Sequence, residues 1–347
     1  MSAVGVANGA KKLRRKVDGV LLLDKPIGMS SNQALQAARR ILNAQKGGHT
    51  GTLDPLATGL LPLCFGEATK FAGELLDADK TYLATLKLGI TTDTGDAEGR
   101  ELLRREVSSS RTDVLGALAH FLGEIEQIPP MYSALKRDGK PLYEYARAGI
   151  EVERKPRQIK IRRLTLTDWT ADQVSLNVTC SKGTYIRTLA EDIGERLGCG
   201  AHLIALRRIA TGGMEVTSAV SLEALQAMTE RERDAVMLPV DMLVAHLPVL
   251  YLDAARRARV MHGQAFECLD PATIGASPSA TAKSASFARP PCSAIVFEAV
   301  ALSTPSGVLA VPIDPRIRLY DQGGQFLGLG TVSRDGHCQP LRLVATN

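Results

Sequence analysis

The chain has 347 residues, 45% of them hydrophobic and 23% charged, which is the make-up of a folded protein with room for about two domains and excludes wholesale disorder. The net charge of +5 is modest, and six cysteines scattered without a CxxC pair or a histidine at finger spacing offer neither a zinc site nor a disulfide framework. Lys11, Lys12, Arg14, Arg15 and Lys16 lead no apolar run long enough for a signal peptide or membrane span, so residues 1–18 read as a solvated basic tail and the protein is expected in the cytoplasm, its thiols reduced.

In chain order, Gly19-Val20-Leu21-Leu22-Leu23-Asp24 is a short apolar run closed by Lys25-Pro26 and reads as a buried strand. Ser30 or Ser31 then caps a helix whose apolar positions Ala34, Leu35, Ala38, Ile41 and Leu42 follow helical spacing, with Arg39 and Arg40 near its negative C-terminal end. Strand followed by helix suggests a mixed α/β domain. Tyr82, Ala84, Leu86 and Leu88 alternate with Thr81, Leu83, Thr85 and Lys87, and Val174, Leu176, Val178 and Cys180 repeat the two-residue period, so both stretches are strands. Thr112 begins a helix through Leu115, Leu118 and Leu122 that Gly123 stops; Leu189 to Leu197 forms another before Gly198, and Ser221 caps a further short one. After Leu247-Pro248, short β-like runs separated by Gly, Asp and Pro predict a small β-rich domain, interrupted from Asp270 to Pro291 by an insertion loop rich in Ala, Ser, Thr and Pro.

Charge is unevenly spread. Lys136 to Arg163 holds ten basic residues against four acidic ones, more than the net charge of the whole chain. A concentrated positive face of this kind suits a polyanion.

The stretch Gly47-Gly48-His49-Thr50-Gly51-Thr52-Leu53-Asp54-Pro55-Leu56-Ala57-Thr58-Gly59 carries four glycines and three threonines. Such a loop lets backbone approach a ligand closely, and it holds its one carboxylate before a proline that disfavours helical geometry. It lacks the lysine of a phosphate-binding GxxxxGK[ST] loop, and no second carboxylate stands nearby for a glycosidase-type pair. By itself it is a structural turn. In Cys180 to Leu189, Tyr185 and Arg187 at a strand end share a face, because residues i and i+2 point the same way. An aromatic beside a guanidinium makes a base-stacking and charge-pairing unit; a core tyrosine with a rim arginine is the alternative.

Taken together, GVLLLDKPIGMSSN, GGHTGTLDPLATG, KTYLATLKLG, PPMYSALKRDGKPLYEYARAGIEVERKPR and CSKGTYIRTLAEDIGERLGCGAHLIALRR resemble, in order and at close to family spacing, the bacterial tRNA pseudouridine-55 synthases of the TruB family, from about Gly19 to Gly213. The resemblance implies an α+β fold. Residues 19–246 would form a catalytic domain on a mixed, mainly antiparallel sheet, with an RNA-gripping thumb loop at about 129–160. Residues 247–347 would form a small β-rich PUA-type RNA-binding domain carrying the insertion at about 270–291. The implied reaction isomerises the T-loop uridine of tRNA to pseudouridine after base flipping, with no metal and no organic cofactor. The expected partner is the tRNA T-arm, with no membrane, and the expected state is a monomer.

By the same resemblance Asp54 is the catalytic carboxylate, with three routes open to it: attack on the sugar, attack on the base, or removal of the sugar's 2′ proton. Arg187 would pair with it. Enclosing a base in a dry pocket raises a carboxylate's pKa, and a nearby cation opposes that shift. Tyr82 would stack on the flipped base, His49 would brace the space left behind, and Tyr185 and Leu206 would contact the bound nucleotide. Without the family, Tyr82 and Leu206 are core residues and His49 caps a Gly-rich turn. Lys136, Arg154, Lys155 and Arg157 of the thumb would grip phosphates without reading sequence. A non-catalytic RNA-binding or RNA-folding protein on the same fold is one rival, disfavoured because every catalytic-type position is filled. A guide-RNA-dependent, dyskerin-like enzyme is another, disfavoured by the long thumb. A hydrolase is remote because no water-activating base or metal set accompanies Asp54.

Overall fold

The computed structural model describes residues 13–268, 315–333 and 336–345; the insertion expected at 270–291, and Cys292, lie outside the described residues. The chain divides between Leu243 and Val244 into two compact units.

The first unit begins β1 (Gly19–Lys25), α1 (Ser31–Ile41), β2 (Gly47–His49), β3 (Thr58–Phe65), α2 (Ala72–Asp77) and β4 (Lys80–Leu88). It continues β5 (Ile90–Thr92), β6 (Glu101–Arg104), α3 (Arg111–Ala119), β7 (Gly123–Gln127), β8 (Lys136–Arg137), β9 (Lys140–Pro141) and α4 (Leu142–Arg147). It closes with β10 (Arg157–Trp169), β11 (Gln173–Cys180), α5 (Ile186–Arg196), β12 (Ala201–Thr211), β13 (Met214–Glu215), α6 (Leu222–Ala227) and α7 (Glu230–Ala235). The main sheet runs β1-β3-β12-β4-β11-β10-β7, with β2 added to β3 and β13 to β12. Every pairing is antiparallel except β3 with β12, so the sheet is mixed and mainly antiparallel, as expected.

The two-residue period of β4 decides which face is buried. Tyr82, Ala84, Leu86 and Leu88 point into the core, while Leu83 on the other face is 41% exposed. Across the ladder they meet Val178, Leu176 and Val174 of β11. Ala34, Leu35 and Ala38 of α1 and Leu189, Ala190 and Ile193 of α5 belong to the same core. Each large apolar side chain so buried contributes about 1.5–3 kcal/mol.

Local signals place α1 well. Ser30 accepts from the Gln33 backbone N–H while the Gln33 side chain accepts from the Ser30 N–H, a reciprocal cap that frees Ser31 for another task. Three expectations need correction. The helix expected from Thr112 through Leu122 is α3, which ends at Ala119; Leu115 and Leu122 are exposed, and Gly123 at φ +99° opens β7 instead of stopping a helix. The helix expected from Leu189 begins at Ile186, so Arg187 lies in its first turn and not at a strand end. Tyr185 is that helix's N-cap residue, and residues two apart on a helix do not share a face, so the shared-face argument fails. Arg157 to Lys160, counted at the end of the thumb, begin β10 and pair with β7, which leaves the excursion from the sheet to 128–156.

The second unit is β-rich, with β14 (Val249–Leu252), β15 (Phe266–Glu267), β16 (Arg316–Asp321), β17 (Phe326–Val332) and β18 (His337–Leu343) in the order β14-β16-β17-β18-β15 among the described residues. Leu250, Leu252, Phe266, Ile317, Leu319 and Leu327 fill its core. It also holds a helix the sequence reading did not foresee, α8 (Ala254–Met261), capped by Asp253 and placing Val260 in that core. Among the described residues no helix is long and apolar enough to cross a membrane.

Candidate active site

One end of the strands gathers the singled-out residues. There β1 ends, β3 and β4 begin, and β11 ends: Lys25 faces Gly59, Arg208 faces both Gly59 and Tyr82, and Cys180 faces Lys80. Gly59, at φ +98°, makes this closure feasible, since a Cβ there would stand 2.3 Å from the Arg208 carbonyl oxygen.

The loop between β2 and β3 is tied down at several points. Thr50, fully buried, donates its backbone N–H to the Pro62 carbonyl at 3.1 Å; Gly28 N–H donates to the Pro55 carbonyl at 2.8 Å; Ala57 N–H donates to the Asp54 carbonyl at 3.0 Å. Ser31 holds Leu53 from both sides, its hydroxyl accepting from the Leu53 N–H at 2.7 Å and donating to the Leu53 carbonyl at 3.1 Å. The residue before Asp54 is thereby clamped to the start of α1.

Asp54 meets Arg187 across the site, Oδ2 to Nη2 at 3.0 Å, with the arginine side chain 6% and the carboxylate 42% exposed. Arg187 is itself held in place. Its Nη1 donates to the Thr94 carbonyl at 3.0 Å and its Nη2 to the Tyr132 carbonyl at 2.7 Å, while the buried Asp96 carboxylate lies 3.5 Å from Nη1. Asp96 is fixed in turn by Thr94 Oγ1 at 2.6 Å and the Glu98 N–H at 3.1 Å. Sequence reasoning found no second carboxylate near Asp54. The fold supplies one in Asp96, whose only sequence signal is a Thr-Gly-Asp turn after β5.

The electrostatics follow from this crowding. Loss of water around Asp54 raises its pKa; Arg187 pulls it down and Asp96 pushes it up, and the net displacement is upward. Lys25, with no exposed surface, donates to the Pro26 and Met29 carbonyls, and burial lowers its pKa to about 8 against the attraction of Asp54. His49 on β2 is lowered by burial and by Arg208, and its Nδ1 is buried without a partner. Tyr82 is raised by burial, with Arg208 opposing. Burial raises the pKa of Tyr185. Its backbone is gripped by buried Gln127, which accepts from the Tyr185 N–H at 2.8 Å and donates to the Tyr185 carbonyl at 3.1 Å.

The structure therefore brings Asp54, Arg187, Tyr82 and His49 to one region with Lys25, Asp96 and Arg208, which the sequence reading missed. Leu206, half-buried on β12 opposite Ala84, lies two residues from Arg208 on the same strand. The thumb residues are less uniform than expected. Lys136, Lys155 and Arg157 are exposed, whereas Arg154 donates to the Pro129 carbonyl at 3.2 Å and stands 3.7 Å from Glu151.

A carboxylate is thus anchored to a buried guanidinium beside a clamped Gly-rich loop, and comparison with known proteins gives the family of the chain that carries them. Residues 39–186 match the profile described as TruB family pseudouridylate synthase (N terminal domain), residues 187–245 that of the tRNA pseudouridylate synthase B C-terminal domain, and residues 308–344 that of pseudouridine synthase II TruB, C-terminal. The tRNA pseudouridine synthase B of Burkholderia mallei (strain NCTC 10247) is 52% identical over 333 residues, covering 96% of this chain and 99% of that protein. This chain belongs to the TruB family. Within the family, the tRNA pseudouridine synthase B of Cupriavidus metallidurans is 60% identical over 253 residues, covering 72% of this chain and 81% of that one. Among solved structures, that of a Cbf5-Nop10-Gar1 complex superposes with a TM-score of 0.63 at 23% identity over 95% of this chain and 84% of the other, a likeness of fold.

Proposed function

We propose that this TruB-family chain is a tRNA pseudouridine synthase that converts the T-loop uridine to pseudouridine with Asp54 as its catalytic carboxylate. The observation that carries the reading is the Asp54–Arg187 pair at 3.0 Å, built from a loop and a helix distant in sequence. The B. mallei relative, matched over nearly its whole length, bears the name of that activity.

The reaction breaks the N1–C1′ bond, turns the uracil and rejoins it through C5, so both fragments must be held while neither is attached. Flipping the uridine out of its stack costs roughly a few kcal/mol, and a stacking platform returns about 1–3 kcal/mol per base. In this reading Tyr82 supplies that platform, Leu206 and Tyr185 close on the nucleotide, and His49 braces the vacated space. Arg187 keeps Asp54 oriented and offsets part of the cost of ionising it in a dry site. Asp54 keeps three routes, through the sugar, the base or the 2′ proton.

Residues 1–18 serve as a basic N-terminal segment whose Arg15 is held by the Asn43 carbonyl and Asp234, 19–246 as the catalytic domain with its thumb at 128–156, and 247–347 as a PUA-like RNA-binding domain with the insertion at 270–291. Lys136, Arg154, Lys155 and Arg157 take phosphates of the T-arm, and the protein acts as a cytoplasmic monomer without metal or cofactor. The test is incubation of purified protein with an unmodified tRNA transcript and mapping of pseudouridine at single-nucleotide resolution, with Asp54→Asn alongside. Wild-type protein should modify the T-loop uridine and Asp54→Asn should not. Tight binding with no product from the wild type would instead support an RNA-folding protein on this fold.

A further inference from the structure

One large charged side chain in this region has no part in the chemistry above. Arg208 is 1% exposed, the largest fully buried side chain among the described residues. Its neighbour Arg207 is half-buried and forms a two-pronged pair with Asp24 at 3.0 and 2.7 Å. Arg187 has Asp54 and Asp96. Among the described residues no carboxylate pairs with Arg208. Its Nε donates to the Leu60 carbonyl at 2.7 Å and its Nη2 to the Gly51 carbonyl at 3.1 Å.

The third contact is set by register. Arg208 is the direct cross-strand partner of Tyr82, so the two side chains share one face of the sheet, and the guanidinium opposes the rise that burial gives the Tyr82 pKa. One planar group thus spans strand β3, the loop that carries Asp54, and the tyrosine of β4. A buried cation without an anion is expensive to keep. Two backbone carbonyls could be satisfied by a neutral donor, so the charge itself calls for another account. A guanidinium fixed by two backbone carbonyls and packed across the ladder from a phenol limits where that phenol can settle. A cation beside that phenol also favours any build-up of negative charge on its oxygen.

Resting on the synthase reading of this site, we propose that Arg208 is a positioning residue that holds the Tyr82 hydroxyl and the Asp54 loop in one working geometry. It acts through those groups and not on the substrate. Lysine at this position keeps the charge and one bond but cannot bridge both carbonyls with a planar fork lying alongside Tyr82.

The test compares wild type, Arg208→Lys, Tyr82→Phe and the double variant, with folding checked by circular dichroism. On a tRNA transcript, Arg208→Lys should lower kcat by about 30-fold with KM changed by less than about 3-fold, because misplacement of reacting groups is felt in the transition state. In urea unfolding the two substitutions should be non-additive, Arg208→Lys shifting the midpoint less than half as far in the Tyr82→Phe background as in wild type. A midpoint shift with kcat unchanged, a KM rise that accounts for the loss, or simple additivity overturns the proposal. Should Arg208→Lys not fold, Arg208→Gln takes its place, since its amide still donates to a carbonyl; failure of both makes Arg208 a framework residue and overturns the proposal as well. Wild-type protein that forms no pseudouridine overturns the parent reading first, an outcome visible before any variant is compared.

Discussion

Ser30 and Ser31 are adjacent and chemically identical, yet the structure gives them separate work, and replacing each with alanine should separate them. Ser30→Ala removes a helix cap at the protein surface and should cost about 1 kcal/mol of stability. Ser31→Ala removes the one hydroxyl that satisfies both the N–H and the carbonyl of Leu53, a residue 3% exposed. Each buried backbone group left unmade costs about 1–3 kcal/mol, so about 2–4 kcal/mol is expected for the pair after partial relaxation. The clamped residue precedes Asp54, so the loop should also drift, and a displacement of about 1 Å is worth up to about 100-fold in rate. The assays are urea unfolding and single-turnover pseudouridine formation with enzyme in excess. Ser30→Ala should show the small stability loss with an unchanged rate, and Ser31→Ala both losses. Equal rates in the two variants would refute the claim that Ser31 positions the catalytic loop.

Arg187→Met should lower turnover by about 1000-fold while tRNA affinity stays within about 3-fold, as measured by filter binding, because the guanidinium is buried against Asp54. Arg187 lowers the Asp54 pKa, so its loss should move the acidic limb of the residual pH–rate profile to higher pH; a shift to lower pH would count against the pairing. Glu191, raised by burial to about 7 from the 4.5 of a solvated glutamate, is protonated more readily folded than unfolded. The stability this brings is fully present below pH about 4.5 and lost as pH rises through about 7. Glu191→Gln should therefore raise the unfolding free energy at pH 8.5 and leave it nearly unchanged at pH 4.5, by about 1–2 kcal/mol once the bare conversion of about 3 kcal/mol is discounted for partial exposure. Neutralising Arg154, Lys155 and Arg157 together should flatten the salt dependence of tRNA binding by about 2 in log–log slope, nearer two contacts than three because Arg154 is partly committed to Pro129 and Glu151. An unchanged slope would remove the thumb from phosphate binding.

Much of the scaffold could be read from the chain because its signals are local. The alternation of β4 and β11 is a property of neighbouring residues, and the buried set Tyr82, Ala84, Leu86, Leu88, Val174, Leu176, Val178 and Cys180 is the one the period predicts. Ser30 with Gln33 and Ser221 with Ala224 cap helices through contacts three residues long. Local reading failed where two geometries compete for the same few residues. The Thr184-Tyr185-Ile186-Arg187 stretch follows a strand, and the strand's two-residue period was carried too far; Gly183 at φ +81° breaks the strand and the helix begins at Ile186.

Sequence by itself determined the strand faces, the first helix, the basic segment from Lys136 to Arg163, and, through motifs in order, the place of Asp54 and Arg187 in one site. Tertiary structure alone decided that Arg187 reaches Asp54 from a helix, that Asp96 shares it, that Ser31 clamps Leu53, and that Arg208 lies buried beneath the loop against Tyr82. The division has a physical cause. Periodicity and capping act within a turn or a pleat, whereas ion pairs and buried charges are set by which strands close on one another. Here that closure depends on Gly59 letting β3 and β12 meet where no side chain would fit.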